Sequence, residues 1–372
     1  MTTNPIGLYV HIPFCVRKCN YCDFCSFNLS TVTWREEYVD RLVGEILSYA
    51  GREIEVNTLF FGGGTPSLLT PSEFDKICSA IRESFILSPD CEFTIEANPK
   101  TLDREKLGTF VKNGANRISI GLQSIHENEL KTLGRIHCFE DFLASYKLCR
   151  ELGIENINID LMYAIPEQTI ESFSKTLDTV LELKPQHVSL YGLILEEGTP
   201  FYKMKSELAL PGEDIECDMY FLAAKKLSEA GYSHYEISNY ALPGSESRHN
   251  LKYWRCQEYI GVGLSAYSFF KGSRFGNTDD VSAYLSSDPR AVLTEERSND
   301  DLETEFIMLA LRLREGLSLS EYKSCFGKDF MSEKRAKAEN LLNMGLLKIS
   351  GDRLSLTEKG FYVSNSIICE LI

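Results

Sequence analysis

Three cysteines near the start of the sequence have the spacing of a metal-binding loop. Cys15, Cys19 and Cys22 follow the pattern CxxxCxxC, which allows three sulfurs on one short loop to face a common point. Three thiolates suit a four-iron–four-sulfur cluster that leaves one iron open, because structural zinc and two-iron clusters normally take four protein ligands. Taken alone, the loop is also consistent with a zinc knuckle completed by Cys25, or with free thiols in a cytosolic protein.

The elements that must position this loop are indicated by an alternation of strand and helix patterns. Between about residues 6 and 194, short apolar runs alternate with amphipathic segments of helical period. The predicted strands are Leu8–Ile12, Thr58–Phe61, Glu92–Ala97, Arg117–Leu122, Asn156–Leu161 and His187–Leu193. The helices predicted between them include Trp34–Ala50, Ser72–Phe85, Arg104–Asn113, Phe139–Leu152 and Ser172–Leu183. Six successive βα units predict an α/β fold, a partial (β/α)6 barrel of the TIM type.

Polar residues and glycines stand where these predicted strands end. The residues concerned are Gly62–Thr65, Glu96, Gln123, Asp160 and Gly192. In a βα barrel such positions face the C-terminal mouth, where active sites are built. Each has an ordinary explanation when taken singly, since carboxylates cap helices and glycines form tight turns. These five strand endings, together with the cysteine loop that follows the first predicted strand, predict a functional site at the mouth.

Several motifs resemble those of the radical S-adenosylmethionine (SAM) superfamily. Tyr9–Cys15 reads Tyr-Val-His-Ile-Pro-Phe-Cys, Phe61–Pro66 reads Phe-Gly-Gly-Gly-Thr-Pro, and Asn158–Leu161 reads Asn-Ile-Asp-Leu. They are similar to motifs of the oxygen-independent coproporphyrinogen oxidase group and of its relatives, the HemW-type heme chaperones. The resemblance extends over nearly the whole chain, and it implies a partial barrel of the radical SAM type.

The resemblance also implies cofactors and their binding residues. Cys15, Cys19 and Cys22 would bind the four-iron cluster. The residues that it places around SAM are Tyr9, Tyr21, Gly63, Gly64, Thr65, Glu96, Gln123, Arg135, Asp160 and Gly192. Carboxylates suit a ribose diol or an ammonium, and an arginine suits a carboxylate. In that superfamily the reduced cluster donates an electron to SAM and yields a deoxyadenosyl radical, while the protein positions and shields the cofactors.

A second motif lies beyond the predicted barrel. His249, Tyr253 and Trp254 belong to the run Arg-His-Asn-Leu-Lys-Tyr-Trp. A histidine with aromatic neighbours is usually explained by packing, but imidazole is also an axial ligand of heme iron, and aromatic rings offer flat apolar surface to a porphyrin. The resemblance to HemW-type chaperones implies a heme-linked role for this run.

The sequence predicts three regions. Residues 1–235 are predicted to form the radical SAM partial barrel, and residues 236–300 the heme-motif region and a linker. The linker is the polar stretch Asn277–Asp300, which Pro289 interrupts. Residues 301–372 are predicted to form a helical, winged-helix-like domain of three helices and a hairpin. Its charges are balanced and no helix has a basic stripe, which favours a packing or docking module over a DNA reader.

Composition narrows the class of protein further. The formal net charge of −15 argues against broad nucleic-acid binding, which needs a basic face. No stretch approaches the roughly 20 apolar residues of a transmembrane helix, and the first residues do not resemble a signal peptide. Twelve cysteines in a chain with an ordinary apolar fraction predict a reducing, cytoplasmic location.

The resemblance favours a heme chaperone that binds heme and transfers it to an acceptor protein. The expected partners are heme or porphyrin, a heme-accepting protein and an electron donor. Membrane-associated proteins are among the candidate acceptors. The alternative is an oxygen-independent coproporphyrinogen III oxidase. In that enzyme Gly-Cys follows the third cluster cysteine, whereas Asp23-Phe24 follows Cys22 here, and the extra thiol is Cys25. The short stretch before the first strand and the His249 motif also favour the chaperone. A third hypothesis for the function is a zinc or disulfide redox module that does not bind SAM.

Overall fold

Two units make up the chain in the computed structural model, which describes residues 4–288 and 292–372. The first unit contains Met1–Lys226 and Glu258–Glu295, and the second contains Leu227–Gln257 and Glu296–Ile372. Of the predicted region 236–300, residues 258–295 belong to the first unit and the remaining residues to the second. The three predicted domain ranges stay predictions.

Six parallel strands of the first unit form the predicted partial barrel. These barrel strands one to six are Ile6–Ile12, Ile54–Gly63, Phe85–Ala97, Arg117–Gln123, Asn156–Tyr163 and His187–Gly192. Each strand pairs in parallel with the next one along the chain. Their side chains are almost continuously buried, as expected of parallel strands that helices cover. The fold prediction, a partial (β/α)6 barrel, is confirmed.

Helices connect the barrel strands, and the five predicted ones begin within two residues of their predicted starts. The longer helices of this unit are Arg35–Leu47, Pro71–Ser84, Arg104–Lys112, Phe139–Glu151 and Ile170–Leu183, and Glu213–Glu229 continues into the second unit. Shorter helices are Glu127–Thr132 and Pro200–Lys203. Thr70 and Glu73 form a capping box at the start of one helix, and Asp103 caps another. Gly114 and Gly153 follow helix ends and have positive φ, which glycine adopts without strain.

Four further strands extend the sheet beyond barrel strand one. Tyr259–Val262 pairs with strand one in parallel, and Tyr267–Phe270, Ser273–Gly276 and Leu293–Glu295 follow antiparallel. The stretch predicted as a linker is therefore largely ordered structure in its described residues, and it includes the helix Val281–Ser286. Tyr284 explains this difference, because it is buried and donates a hydrogen bond to Glu45 at 2.6 Å. Pro289, on which the linker prediction also depended, lies outside the described residues.

The second unit begins with a hairpin of Ser233–Glu236 and Asn239–Ala241, and the helix Arg248–Trp254 follows. Its remaining helices are Asn299–Ala310, Leu319–Phe326, Phe330–Glu333, Arg335–Asn343, Glu358–Tyr362 and Ser364–Leu371. Leu347–Ser350 and Arg353–Leu356 form the predicted hairpin, and Leu317–Ser318 adds a third strand. The helices and hairpin agree with a winged-helix-like arrangement. Within residues 4–288 and 292–372, no helix has the length and apolar character needed to cross a bilayer.

Candidate functional site

A cavity of about 420 Å³ lies at the C-terminal ends of the barrel strands. The three cysteines and nine of the ten residues predicted for SAM line it: Cys15, Cys19, Cys22, Tyr21, Gly63, Gly64, Thr65, Glu96, Gln123, Arg135, Asp160 and Gly192. The strands bring these residues together because barrel strands two to six all end at this edge. The binding roles themselves stay predictions.

Tyr9 is the tenth predicted residue, and it does not belong to the described lining of the cavity. Its hydroxyl lies 3.0 Å from Nδ1 of His11, whose Nε2 donates a hydrogen bond to the carbonyl of Cys25 at 2.8 Å. Burial lowers the pKa of His11 to about 4, so the ring is neutral and Tyr9 donates to Nδ1. Tyr9 and His11 thus hold the end of the cysteine loop. Sequence reasoning had assigned no role to His11.

Gly63 and Gly64 are packed too closely for any side chain. A Cβ on Gly63, which has φ of +105°, would lie 2.4 Å from Cε1 of His11, and one on Gly64 would lie 2.7 Å from the carbonyl oxygen of Phe14. Glycine is therefore required because the end of barrel strand one and Phe14, which precedes Cys15, pack directly against this backbone. The bare backbone also remains open toward the cavity.

The cysteine sulfurs have polar neighbours from several parts of the barrel. Thr65 donates to Sγ of Cys15 at 3.6 Å, and Nη1 of Arg135 donates to Sγ of Cys19 at 3.5 Å. Burial raises the pKa of Cys22 to about 11, so a positive metal centre is needed to hold its thiolate. Across the described residues, no three His, Cys, Asp or Glu side chains converge as the ligands of one metal ion do. A cubane cluster binds each thiolate through a different iron, and this donor set fits it.

Two half-buried carboxyl groups face the same cavity. Glu96 accepts a hydrogen bond from the backbone N–H of Gly63 at 3.2 Å, and Asp160 accepts one from Asn158 at 2.7 Å. Burial, together with the charge of Asp160, raises the pKa of Glu96 to about 8. Burial also raises the pKa of Asp160. A cationic or hydroxyl-rich ligand would compensate the loss of water around both groups.

Two further groups complete the polar lining. Oε1 of Gln123 is buried and, within the part of the chain that the structure describes, has no hydrogen-bond partner. Arg135 donates to the carbonyl of Gly121 at 2.6 Å and to Oδ1 of Asn98 at 2.5 Å. Asn98 in turn donates to Thr65 at 2.8 Å. An unpaired acceptor, two carboxyl groups and a guanidinium fit the amino, carboxylate and ribose groups of SAM. Asn98 lies two residues after Glu96, and the sequence analysis assigned it no role.

The residues predicted for heme lie in the second unit, on the helix Arg248–Trp254. His249 is buried, and its Nε2 lies 2.7 Å from the hydroxyl of Tyr253. Trp254 is half-buried, and the guanidinium of Arg312 lies 5.5 Å from the centre of its ring. The helix therefore places the three residues near one another, while their binding of heme stays a prediction.

Comparison with known families agrees with this geometry. The family model of the radical SAM superfamily matches residues 9–180, and the model of the HemN C-terminal domain matches residues 298–363. The chain also resembles the solved structure of coproporphyrinogen III oxidase, HemN, from Escherichia coli. The TM-score is 0.86 with 24% identity, covering 99% of this chain and 90% of that one. The barrel and its cavity are those of a radical SAM protein, and the cavity residues fit the four-iron–four-sulfur cluster and SAM that this superfamily uses.

Curated relatives identify the family within that class. The chain is 37% identical to the heme chaperone HemW of Lactococcus lactis, covering 99% of this chain and 97% of the relative. It is 36% identical to HemW of Escherichia coli, covering 98% and 97%, and 33% identical to HemW of Bacillus subtilis, covering 96% and 97%. The chain belongs to the HemW family.

Proposed function

We propose that this protein is a heme chaperone, which binds heme and transfers it to an acceptor protein. The observation that carries the proposal is the 37% identity to the Lactococcus lactis heme chaperone over 99% of the chain. The similarity covers both units, so it includes the barrel and the helix with the His249 motif. We further propose that the protein works in the cytoplasm, with heme, a heme-accepting protein and an electron donor as partners, and that acceptors include membrane-associated proteins.

His249 is the proposed iron ligand. Neutral imidazole coordinates heme iron through a ring nitrogen, and Nε2 of His249 is hydrogen-bonded to Tyr253. Coordination through Nε2 therefore requires Tyr253 to give up this bond. Tyr253 and Trp254 then offer aromatic surface to the macrocycle. Heme binding should accordingly be accompanied by a local rearrangement of the helix Arg248–Trp254.

The barrel has a separate proposed task, which is to hold the cluster and SAM. Cys15, Cys19 and Cys22 hold the cluster, and Glu96 and Asp160 contact the amino and ribose groups of SAM. The cluster supplies an electron when it is bound and reduced. The walls of the cavity exclude water from these charged groups and fix their orientation.

One experiment separates the chaperone from the alternative oxidase. Anaerobically purified, cluster-loaded protein is titrated with heme, and in parallel it is incubated with coproporphyrinogen III, SAM and a reductant. The chaperone should bind about one heme per chain with a Soret band and should leave coproporphyrinogen unchanged. Steady anaerobic decarboxylation by the wild-type protein would reject the proposal and favour the oxidase. Failure to bind heme in the presence of the intact cluster would also reject it.

A further inference from the structure

Asn20 lies in the cysteine loop, between two of the cysteines predicted to bind the cluster, and it is bonded to two distant segments. Its backbone N–H donates to the carbonyl of Leu133 at 3.0 Å, and its side-chain Nδ2 donates to the carbonyl of Thr132 at 2.9 Å. Its own carbonyl accepts a hydrogen bond from the N–H of Phe201 at 3.0 Å. Two of these bonds therefore fix the middle of the loop to the end of the helix Glu127–Thr132, and the third fixes it to the helix Pro200–Lys203.

Gly134 shows how closely this contact is packed. The residue has φ of +78°, and a Cβ there would lie 3.0 Å from Cγ and Oδ1 of Asn20. A side chain at position 134 would have to displace Asn20 or the turn itself. The side chain of Asn20 and the turn at Gly134 are thus fitted to each other.

The turn that Asn20 holds leads directly into Arg135. Nη1 of Arg135 donates to Sγ of Cys19 at 3.5 Å, and Nη2 donates to Asn98 at 2.5 Å. Asn98 donates to Thr65, which donates to Sγ of Cys15. One continuous set of hydrogen bonds therefore runs from the cysteine loop through the turn and the guanidinium to two cysteine sulfurs.

We propose that Asn20 is a positioning residue that sets the distance between the Arg135 guanidinium and the Cys19 sulfur, and thereby sets the reduction potential of the cluster. Hydrogen bonds to cluster sulfurs stabilise the more negative, reduced state and so raise the potential. Asn20 does not touch the cluster in this scheme, but it holds the loop and the turn in register. The inference rests on the radical SAM site and not on heme binding, so it stands whether or not the chaperone proposal is correct.

The test is a redox titration of the full-length, cluster-loaded Asn20→Ala variant, followed by electron paramagnetic resonance. Removal of the side chain deletes the bond to Thr132 and lets the loop move away from Arg135. The ratio of reduced to oxidised cluster at a fixed potential should fall by about three- to tenfold, where tenfold corresponds to about 59 mV for one electron. Asn116→Ala is the matched control, because Asn116 bonds the backbone at Cys91 and Phe93 away from the cavity. Its potential should equal that of the wild type.

A double-mutant cycle separates positioning from a general effect on the fold. In an Arg135→Gln background the Asn20→Ala change should shift the potential no further, because residues that act through one contact are not additive. Gly134→Ala disturbs the same contact from the other side, and its shift should have the same sign. Equal shifts of the potential in both backgrounds would overturn the proposal. So would loss of the cluster from both Asn20→Ala and Gly134→Ala at unchanged melting temperature, because Asn20 would then serve cluster retention.

Discussion

The barrel cavity and the His249 helix differ in how their polar groups are satisfied. In the cavity, Oε1 of Gln123 has no partner among the described residues, and loss of solvent together with the charge of Asp160 raises the pKa of the half-buried Glu96 to about 8. In the helix, Nε2 of His249 is already bonded to Tyr253. The cavity therefore keeps an acceptor without a partner, whereas on the helix the side chains of His249 and Tyr253 are hydrogen-bonded to each other, and of the three predicted heme residues only Trp254 has a ring nitrogen without a partner among the described residues.

The two regions should therefore respond differently when a ligand binds. The cavity needs no rearrangement for a polar ligand to form new hydrogen bonds, and a preorganised site keeps more of its binding energy. On the helix, the hydrogen bond between His249 and Tyr253 must break first. The apparent affinity for heme is then lowered in proportion to the fraction of molecules in which this bond is broken. Such a cost suits a ligand that has to be released again to another protein.

The largest expected effect concerns the cluster, because it is the central component of the preformed region. Changing Cys15, Cys19 or Cys22 to Ala should abolish the cluster, whereas Cys25→Ala should leave about four iron and four sulfide per chain. Iron and sulfide analysis after anaerobic reconstitution measures this. Equal loss in Cys25→Ala, or one zinc per chain in the wild type, would contradict the three-ligand assignment and with it the character of the cavity.

The next effect concerns SAM, whose binding should depend on polar groups already in place. Asp160→Ala and Arg135→Ala should each weaken SAM binding by about 1–3 kcal/mol, as expected when a hydrogen bond to a charged group is lost. Calorimetry measures the affinity, and thermal unfolding is the control, since mouth residues serve function more than packing. Unchanged affinity in both variants would remove SAM from this part of the cavity.

Much of this preformed region could be predicted from sequence, for a physical reason. Buried parallel strands are continuous apolar runs, so the six strands were visible, and the residues after each strand had to meet at one edge. Periodicity located the first residues of the strands less well. Strand two begins at Ile54 rather than Thr58, and strand three begins at Phe85 rather than Glu92.

The parts that were missed depend on contacts between distant residues. The helix Val281–Ser286 was interpreted as part of a linker because the surrounding stretch Asn277–Asp300 is polar, and the helix is short with one buried anchor, Tyr284. His11 lies within the Tyr9–Cys15 motif and Asn98 just after Glu96, but their roles depend on hydrogen bonds with Cys25, Thr65 and Arg135 that no local sequence pattern encodes. Local sequence patterns thus predict the helices, the strands and the edge at which the strands end. The hydrogen bonds that support a site can be identified only from the folded structure.

A smaller effect should appear in the protons exchanged when SAM binds. The pKa of Glu96 is raised to about 8 by burial first and by Asp160 second, so at pH 7 this group is mainly protonated in the ligand-free protein. A cationic ligand lowers that pKa, and binding should therefore release up to one proton and tighten as the pH rises from about 6 to 8. Calorimetry in buffers of different ionisation enthalpy measures the release. Glu96→Gln should release fewer protons, and an equal release in both proteins would mean that Glu96 does not contact the ligand.

The smallest expected effect tests the closed character of the His249 helix. Tyr253→Phe removes the hydroxyl that occupies Nε2 of His249 while it keeps the aromatic ring, so the cost of opening falls. Heme affinity should rise severalfold, about the effect of losing one neutral hydrogen bond of roughly 1 kcal/mol, with the Soret band unmoved. His249→Ala should instead shift the Soret band or reduce heme occupancy, and cluster content should stay the same in both variants.

The rival ligands are the other histidines and thiolates such as Cys25 and Cys256, which would give a band at another position. If Tyr253→Phe left the affinity unchanged while His249→Ala moved the band, His249 would be the ligand without any opening step, and the contrast between the two regions would lose its energetic basis. An unaltered spectrum in His249→Ala would remove His249 as the ligand, and the thiolates would be tested next.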